Sequence, residues 1–568
     1  MELKNDLMTK YILFFLLLCS LQTSAQTKSN QPFISPLDFP LYLSANFGEL
    51  RSNHFHGGLD FKTQNAVGKN VRSIADGYIS RITVTAGGFG KVIYVTHPNG
   101  YTSLYGHVMN FSPEISAYLE NYQYENETFE ADILFEPAQF PVKQGSIIAL
   151  SGNEGFSFGP HLHLEIRKTD SNERINPLLF YQNEIKDNIA PRANAVTVYP
   201  RPGKGVVNEM SCKQSFPVIS QSSDCTGKAI EAWGEIGLGL KAFDYMNGTS
   251  NNYGIYAITL FVDNQEIFSS TINAFLPNEN RMINSITDFN EFRTKNSWIM
   301  KSFVAPGNTF RGFSANNNGI IRIDQEKEYE VKYVLSDFYG NTSVYGFKIT
   351  GKQQIVPPYN PSRKHYLYWN RPNIVQEPGL ELIIPKGMLY EDLSLNTNIK
   401  NDSNAISFEY NLHDEEYPLH AFCDLMIGIR NMPVGDSSKY YVVRKAGNSR
   451  YYVGGNYEKG WMKASIRELG TYTVAIDTIA PKVVPVGKAS WGKAGIINYS
   501  ISDKQTGIKE FKGTIDGKFA LFAFNARTAR LTCRLDPKRV RKGGRHELEL
   551  TVTDYCGNKQ IIKDIFIW

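Results

Sequence analysis

The chain has 568 residues, with 60 basic and 56 acidic side chains, a formal charge of +4 and 42% hydrophobic residues. Because a single hydrophobic core stops growing at roughly 250–300 residues, this length predicts about three or four domains. The composition excludes disorder or a coiled coil as the main state. The near-neutral charge excludes the basic footprint of a protein that binds DNA or RNA, so we expect no nucleic-acid partner.

The first residues have the pattern of a secretion signal, predicted over 1–25. Two lysines precede the apolar run Tyr11–Leu21, and small residues lead to an expected cleavage site after Ala25. The run is shorter than the roughly 20 residues that span a bilayer, and no later segment approaches that length. Cys19 raises the alternative of a lipoprotein, but Leu18 stands where lipoprotein processing needs a small residue. We expect an exported protein, periplasmic or at the cell surface, without a transmembrane segment.

Short alternating segments cut by glycine and asparagine come next, such as Tyr78–Val84. This pattern predicts antiparallel strands and hairpins. Helical periodicity is scarce; the best candidate is Ser112–Glu120, which has a serine that can cap it and a proline in its first turn. We place this helix in an insertion at about 110–142, within an N-terminal domain at 35–186.

Six of the ten histidines lie between residues 54 and 163. In His56-Gly-Gly-Leu-Asp60 the imidazole and the carboxylate would share one face of an extended chain, and in His161-Leu-His163-Leu-Glu165 the same period puts two imidazoles and a carboxylate on one face. Two imidazoles and one carboxylate leave a tetrahedral zinc with one open position, which is typical of a catalytic site. Isolated histidines are usually surface or core residues, so each motif alone is a weak signal. Both motifs on strands of one domain predict a metal site.

Two short motifs each occur twice. One lies at the start of a strand-rich region both times, and the other lies near the end of such a region both times. They are Asp187-Asn-Ile-Ala-Pro191 and Asp477-Thr-Ile-Ala-Pro481 at the starts, and Asp337-Phe-Tyr-Gly-Asn341 and Asp554-Tyr-Cys-Gly-Asn558 near the ends. Proline suits the entry to a strand, and Gly-Asn suits a hairpin turn. The pairing predicts β-sandwich domains at 187–350 and 477–568, with a β-rich middle domain at 351–476.

Five cysteines remain after the predicted cleavage, and they are widely spread: Cys212, Cys225, Cys423, Cys533 and Cys556. An odd and scattered set predicts neither a disulfide framework nor a zinc knuckle. Cys212 and Cys225 either close one loop or stay free. We expect the other three to be small buried hydrophobic residues.

Six motifs follow one another in a set order between residues 39 and 170. They are Phe47-Gly-Glu-Leu-Arg51, His56-Gly-Gly-Leu-Asp60, Ala75-Asp-Gly77, Gly90-Lys-Val-Ile, Tyr105-Gly-His107 and Gly159-Pro-His-Leu-His-Leu-Glu165. In this order they resemble the zinc metallopeptidases of the lysostaphin/LytM type, peptidase family M23. The resemblance implies a mainly β chain: an antiparallel β metallopeptidase domain with a groove over the metal, followed by Ig-like β-sandwich domains.

The resemblance also implies a role for each matching side chain. One Zn²⁺ per chain would be held by His56, Asp60 and His163, and His107 and His161 would form the catalytic pair. One of the pair would take the proton of the attacking water and the other would stabilise the oxyanion, and the sequence leaves open which does which.

Other residues of the matching motifs have less definite roles. Glu165 either orients a metal ligand or ends its strand, while His54 and His97 are expected at the surface. The enlarged connection at 112–141 departs from the family pattern. It either borders the groove and limits access, or it packs away from the groove.

The resemblance implies an exported zinc metalloendopeptidase that hydrolyses peptide bonds in bacterial cell-wall peptidoglycan. Its partners would be stem or cross-bridge peptides, and envelope proteins could bind the C-terminal β domains. Two alternatives are a non-catalytic adaptor that regulates other cell-wall hydrolases, and a surface binding protein with an appended hydrolase-like domain. The presence of all five expected site residues favours the enzyme.

Overall fold

The computed structural model describes residues 33–360, 365–402 and 405–568. The predicted signal at 1–25, with Cys19, lies outside these residues. Within them, strands dominate and helices are few and short, as the sequence predicts. In the described part of the chain we find no helix with the length and apolar character needed to cross a membrane.

The N-terminal segment forms an antiparallel sheet whose central strands carry the predicted site residues. The sheet has the order Leu43–Ala45, Leu59–Lys62, His161–Lys168, Tyr101–Gly106, Lys91–Thr96, Gly77–Val84 and Ala131–Leu134, with Pro141–Val142 and Arg174–Ile175 pairing at its sides. Smaller sheets are formed by Asn70–Arg72, Ile147–Leu150 and Asn110–Phe111, and by Leu50–Arg51 and His54–Phe55. Side chains on one face of the central strand, Leu162, Leu164 and Ile166, are fully buried. The apolar face is therefore buried as predicted, but His163 and Glu165 on the opposite face are buried as well.

The predicted insertion contains a helix at Pro113–Glu125 and contributes the edge strand Ala131–Leu134. Proline stands in the first turn as predicted, and Ser112 is the N-cap residue, but its side chain makes no capping hydrogen bond. A second, short helix lies at Leu178–Tyr181.

The next segment forms a second sheet, which packs against the N-terminal sheet. The strands of this sheet follow the order Gln214–Pro217, Arg192–Val207, Glu231–Phe243, Thr342–Gly351, Glu328–Ser336, Ala257–Val262, Gln265–Thr271 and Phe313–Ala315. Two short strands, Met300–Lys301 and Ile321–Ile323, also pair with Glu231–Phe243. The segment has helices at Ile283–Ile286 and Phe289–Lys295. Ala274–Phe275 pairs with Arg174–Ile175 of the N-terminal sheet, and the Phe275 ring stacks on Phe47 at 5.1 Å. One buried hydrophobic cluster runs through both segments, so they share a core across the predicted boundary near residue 187.

The remaining chain forms two pairs of packed sheets, each with its own buried cluster. The first pair is Asn373–Glu377, Leu380–Ile384, Tyr417–Gly428, Trp461–Leu469 and Asn456–Glu458 against Asn398–Lys400, Glu409–Asn411, Thr471–Ile476, Tyr440–Ala446 and Ser449–Gly454, with Tyr366–Leu367 and Leu393–Ser394 paired beside it. The second pair is Lys482–Val486, Ile496–Ser502, Arg530–Arg534 and Ala523–Asn525 against Lys518–Ala520, Ile508–Ile515, Arg545–Asp554 and Lys559–Ile567, with a helix at Trp491–Ala494.

The five cysteines of the described chain are all free. Cys212 is exposed and Cys225 is buried, so the loop-closing alternative for this pair is wrong. Cys423, Cys533 and Cys556 are buried, as predicted.

Candidate metal centre and groove

Three of the predicted side chains bring one donor atom each to a common point. Asp60 Oδ1 lies 3.0 Å from His56 Nε2 and 2.8 Å from His163 Nδ1, and the two nitrogens are 3.1 Å apart. All three residues are buried, with His163 only 2% exposed. Together these three atoms could hold one metal ion.

Strand register brings His163 and Asp60 together, because they are direct partners in the antiparallel pair of His161–Lys168 with Leu59–Lys62. His56 reaches the point differently from the prediction. The strand His54–Phe55 ends before it, and the chain turns through Gly57 and Gly58 before the next strand begins at Leu59. His56 and Asp60 therefore do not share the face of one continuous strand.

The two glycines are needed because the chain passes directly against the His161–Lys168 strand. A Cβ atom on Gly58 would lie 2.2 Å from the Leu164 carbonyl oxygen, and one on Gly57 would lie 2.8 Å from Glu165 Oε1. Neither position has room for a side chain, so the close approach that puts His56 beside His163 requires glycine at both.

Hydrogen bonds outside the cluster fix which nitrogen of each imidazole faces inward. His56 Nδ1 donates to the Asn46 carbonyl oxygen at 2.6 Å, and His163 Nε2 donates to Glu165 Oε1 at 3.1 Å. In its neutral form, each imidazole then turns an unprotonated nitrogen toward Asp60 Oδ1. Three acceptor atoms in contact repel one another unless a proton or a metal ion lies among them. The donor set and its outer hydrogen bonds fit a metal ion.

Charge at the cluster also favours a cation. Burial alone would raise the pKa of Asp60, but His56 and His163 hold it well below its usual value. Burial lowers the pKa of His163, yet the carboxylates of Asp60 and Glu165 outweigh burial and raise it to about 9. The two acids therefore stabilise positive charge at the point where the imidazoles meet.

Glu165 does not end its strand, which continues to Lys168. It is 2% exposed, and its carboxylate accepts from His163 and pairs with Arg167 at 2.5 Å and Arg174 at 3.3 Å. This network holds the His163 ring in place. Of the two alternatives from the sequence, the orienting role agrees with these contacts.

His107 and His161 lie side by side next to the cluster, with ring centroids 4.7 Å apart. His107 Nδ1 donates to the Glu154 carbonyl oxygen at 2.7 Å, and His161 Nδ1 donates to the Gly159 carbonyl oxygen at 2.9 Å. Both rings thus leave Nε2 as an acceptor, and His161 Nε2 is 3.6 Å from Asp60 Oδ1. His107 also has a positive φ of 59°, a backbone conformation that costs energy outside glycine.

Burial lowers the pKa of both imidazoles. For His107, burial and the neighbouring His161 and His163 lower the pKa to about 3. For His161, burial outweighs the opposing charge of Asp60. Both side chains are therefore neutral near pH 7 and able to accept a proton.

A groove of about 620 Å³ passes over these residues. Phe89 stacks on His163 with ring centroids 4.6 Å apart, and Phe158, which is 98% exposed, stands at the rim. Asn251 contributes to the lining from the segment after residue 187. The groove is thus walled by more than the N-terminal segment.

The insertion does not line this groove, so among the described residues the first alternative for 112–141 is wrong. The insertion contacts the last pair of sheets instead. The Arg539 guanidinium lies 3.5 Å from the Tyr124 ring centroid, the Tyr124 ring packs edge-on against Phe519, and Glu127 forms an ion pair with Lys512. These contacts join segments almost 400 positions apart.

The sequence analysis assigned no role in the site to Asn46 or Arg51. Asn46 accepts from His56, and its side chain exchanges two hydrogen bonds with Gly254 at 2.8 and 2.9 Å, which connects the cluster to the neighbouring sheet. Arg51 lies within a matched motif and places Nη2 3.7 Å from Asp60 Oδ2. The expectation that His97 lies at the surface is wrong: it is 3% exposed and donates or accepts at both ring nitrogens.

Two family models match the chain. Peptidase family M23 matches residues 54–120, and a Zu5-like domain matches residues 364–477, close to the predicted middle domain. The chain is 32% identical over 123 residues to a protein from Haemophilus influenzae described as an uncharacterized metalloprotease. The matched residues make up 22% of this chain and 20% of that protein. It is 30% identical over 129 residues to the DD-carboxypeptidase/endopeptidase Mpg from Neisseria meningitidis, covering 23% of each. The chain therefore matches less than a quarter of the length of these relatives.

Solved structures were also found that match the N-terminal part. The catalytic domain of the antimicrobial peptidase lysostaphin from Staphylococcus simulans is 23% identical, with a TM-score of 0.17 over 24% of this chain and 89% of that one. A catalytic domain of the prophage-encoded M23 protein EnpA from Enterococcus faecalis is 21% identical, with a TM-score of 0.19 over 26% and 95%. The family match over 54–120 contains His56, Asp60 and His107, so this part of the chain is similar to peptidase family M23.

Proposed function

We propose that this protein is an exported zinc-dependent endopeptidase that hydrolyses peptide bonds in bacterial peptidoglycan. One observation carries the proposal: three acceptor atoms 2.8–3.1 Å apart, each held by outer contacts, lie beside two neutral imidazoles in an open groove. The names of the Neisseria relatives, which are DD-carboxypeptidase/endopeptidases, support a cell-wall peptide as the substrate. A periplasmic or surface location agrees with that substrate and with the predicted signal.

His56, Asp60 and His163 would hold the zinc ion. When bound, zinc supplies Lewis acidity, which polarises a carbonyl and makes water acidic near neutral pH. His107 and His161 present Nε2 as an acceptor, so one of them can take the proton of the attacking water and give it to the leaving amine. The other can donate to the developing oxyanion when its single proton is on Nε2, and Ser157 Oγ, 3.1 Å from His161 Nδ1, can support that tautomer of His161 by donating to Nδ1. Phe89 covers one side of His163 and excludes water from it.

The test is mass analysis of the products that the full mature chain makes from a defined crosslinked muropeptide. The full chain is used because the N-terminal domain shares its core with the next segment. We expect new amine termini, suppressed by a chelator and restored by Zn²⁺, and the product masses identify the bond that is cut. Binding of the muropeptide without any cleavage by the zinc-loaded chain would instead favour an adaptor.

Replacing Glu165 by glutamine should weaken zinc binding by about 10–100-fold, the usual effect of losing an outer partner of a ligand. Glutamine keeps an acceptor for His163 Nε2 but removes the charge that balances Arg167 and Arg174. Competition with a chelator of known affinity measures the change. Glu136→Gln, an exposed site, is the matched control and should bind zinc as the wild type does. Equal affinities for the two variants would exclude the orienting role.

Tyr124→Ala should loosen the insertion without changing hydrolysis. The substitution removes the contacts of Tyr124 with Arg539 and Phe519, and a cation–π contact at an exposed site stabilises by about 0.5–1 kcal/mol. Hydrogen exchange should rise in the Pro113–Glu125 helix. The rate on muropeptides should stay the same because the helix does not line the groove. A changed rate or product pattern would show that the insertion acts on the site.

A further inference from the structure

Three aspartates meet at the start of the first module after the peptidase domain. Asp187 precedes its first strand, Asp244 directly follows the long strand that pairs with the first, and Asp337 begins the hairpin before the last strand. One oxygen of each carboxylate lies within 4.8 Å of the others. Three acids from distant parts of the chain are thus brought to one point.

Asp244 has no counter-charge at this point, and the contact that favours its charged form is a backbone hydrogen bond at Tyr245. It is 4% exposed, and its Oδ1 is buried without a hydrogen-bond donor, as is Oδ2 of Asp187. The charges that act on Asp244 are those of Asp187 and Asp337, which are negative, and with burial they raise its pKa to about 8. A buried carboxylate with one unpaired oxygen and no counter-charge is costly. A bound cation would remove that cost.

The last module repeats the arrangement. Asp477 precedes its first strand, Asp503 directly follows the strand that pairs with the first, and Asp554 begins the hairpin before the last strand. These three carboxylates also have oxygens within 4.8 Å of one another, and Asp477 and Asp554 are fully buried. Both modules therefore place an acid at the same three topological positions.

An asparagine secures two of the acids in each module. Asn341 Nδ2 donates to the Asp187 carbonyl oxygen at 3.2 Å and to Asp337 Oδ2 at 2.6 Å. Asn558 makes the equivalent bonds to Asp477 at 3.0 Å and to Asp554 at 2.8 Å. The recurring motifs of the sequence therefore build the same local structure twice, and in each case it positions the acids around one point.

The chemistry of the donors identifies the ion. All six side chains offer carboxylate oxygen, which Ca²⁺ and Mg²⁺ prefer and which differs from the imidazole-containing set of the groove. Two oxygens bound to one Ca²⁺ at about 2.4 Å lie no more than about 4.8 Å apart. Mg²⁺ needs a tighter octahedron and keeps several waters, so a set of three converging acids favours calcium. We propose that each of these two modules binds one Ca²⁺, through Asp187, Asp244 and Asp337 and through Asp477, Asp503 and Asp554.

Both sites lie where one part of the chain passes to the next. Asp187 is on the connection from the peptidase domain, and Asp477 is on the connection from the middle module, where its N–H donates to the Lys439 carbonyl oxygen at 2.9 Å. Calcium would tie each connection to two strand ends of the following module. The ion at Asp477 would thereby stiffen the module that contacts the insertion.

The test measures calcium binding to the full mature chain after its zinc site has been saturated. Equilibrium dialysis against Ca²⁺ up to about 10 mM covers the affinity range of extracellular modules, about 10⁻⁴–10⁻³ M. We expect two Ca²⁺ per chain, one in Asp244→Asn, one in Asp503→Asn and none in the double variant. Asp424→Asn, which removes an exposed aspartate from the middle module, is the matched control and should keep both.

Thermal unfolding separates loss of a site from loss of the fold. With chelator present, Asp244→Asn should melt no lower than the wild type, because without an ion the Asp244 carboxyl is largely neutral near pH 7 and asparagine is a neutral side chain of nearly the same shape. Added Ca²⁺ should raise the Tm of the wild type and raise that of the double variant by less. Asp503 is partly exposed, and its Oδ1 accepts from three backbone N–H groups, which the amide oxygen of asparagine can also do. Asp503→Asn therefore tests the second site even if Asp244→Asn does not fold. No calcium binding by the wild type, or equal binding by the wild type and the double variant, would overturn the proposal.

Discussion

A His163→Ala variant is expected to lose zinc and hydrolysis together. His163 Nδ1 is one of three donor atoms, and its ring is fully enclosed by Asp60, Glu165 and Phe89. Alanine leaves only His56 and Asp60 as donors, so zinc content should fall from about one per chain to near zero and hydrolysis should fall to the uncatalysed background. Metal analysis of the purified protein and a muropeptide assay measure the two effects.

His54→Ala is the matched control. His54 lies two positions from His56, but its side chain is exposed and Nδ1 bonds only the Ser52 carbonyl oxygen. This variant should keep its zinc. If His163→Ala also kept a full complement of zinc, the ion would have to be held elsewhere and the assignment of the ligands would be wrong.

His161→Ala is expected to keep zinc and lose turnover. The ring lies beside the cluster, and Nδ1 is held by the Gly159 carbonyl oxygen, so Nε2 is left for proton transfer. Loss of a general acid–base group costs about 10²–10⁴-fold in rate. We expect a decrease of this size in kcat with little change in zinc content, and His107→Ala should behave in the same way. Hydrolysis at the wild-type rate would remove His161 from the chemistry.

The pH dependence follows from the direction of the pKa shifts. A lowered pKa means that the imidazole releases its proton at lower pH than usual, so the base form is already present at neutral pH. For His107, with a pKa of about 3, lowering the pH to about 6 should not protonate the ring. The acid limb of kcat/KM should accordingly not arise from His107 in this range.

The parts of the site that depend on local pattern were predictable. A strand alternates its side chains by geometry, so His161, His163 and Glu165 could be placed on one face and the intervening leucines in the core without any tertiary information. The same rule failed at His56, because two glycines let the chain turn between strands. The sequence pattern identified His56 and Asp60 as donors but did not predict the course of the backbone between them.

Contacts between distant segments were not predictable. Asn46 forms a hydrogen bond with Gly254, and the Tyr124 ring packs against Phe519. No local sequence feature of Asn46 or Tyr124 predicts these partners. The shared core across residue 187 is likewise a property of packing. The duplicated Asp and Gly-Asn motifs predicted the boundaries of two modules. The sequence did not predict that the acids of these motifs lie close to Asp244 and Asp503, because that proximity depends on the three-dimensional fold.

The most direct test of the zinc site is an anomalous difference map at the zinc edge, from crystals of the zinc-loaded full chain. We expect a peak about 2.0–2.2 Å from His56 Nε2, Asp60 Oδ1 and His163 Nδ1, with one coordination position of the zinc ion open toward the groove. No peak at this point in zinc-loaded crystals, or a zinc ion bound by other residues, would contradict it.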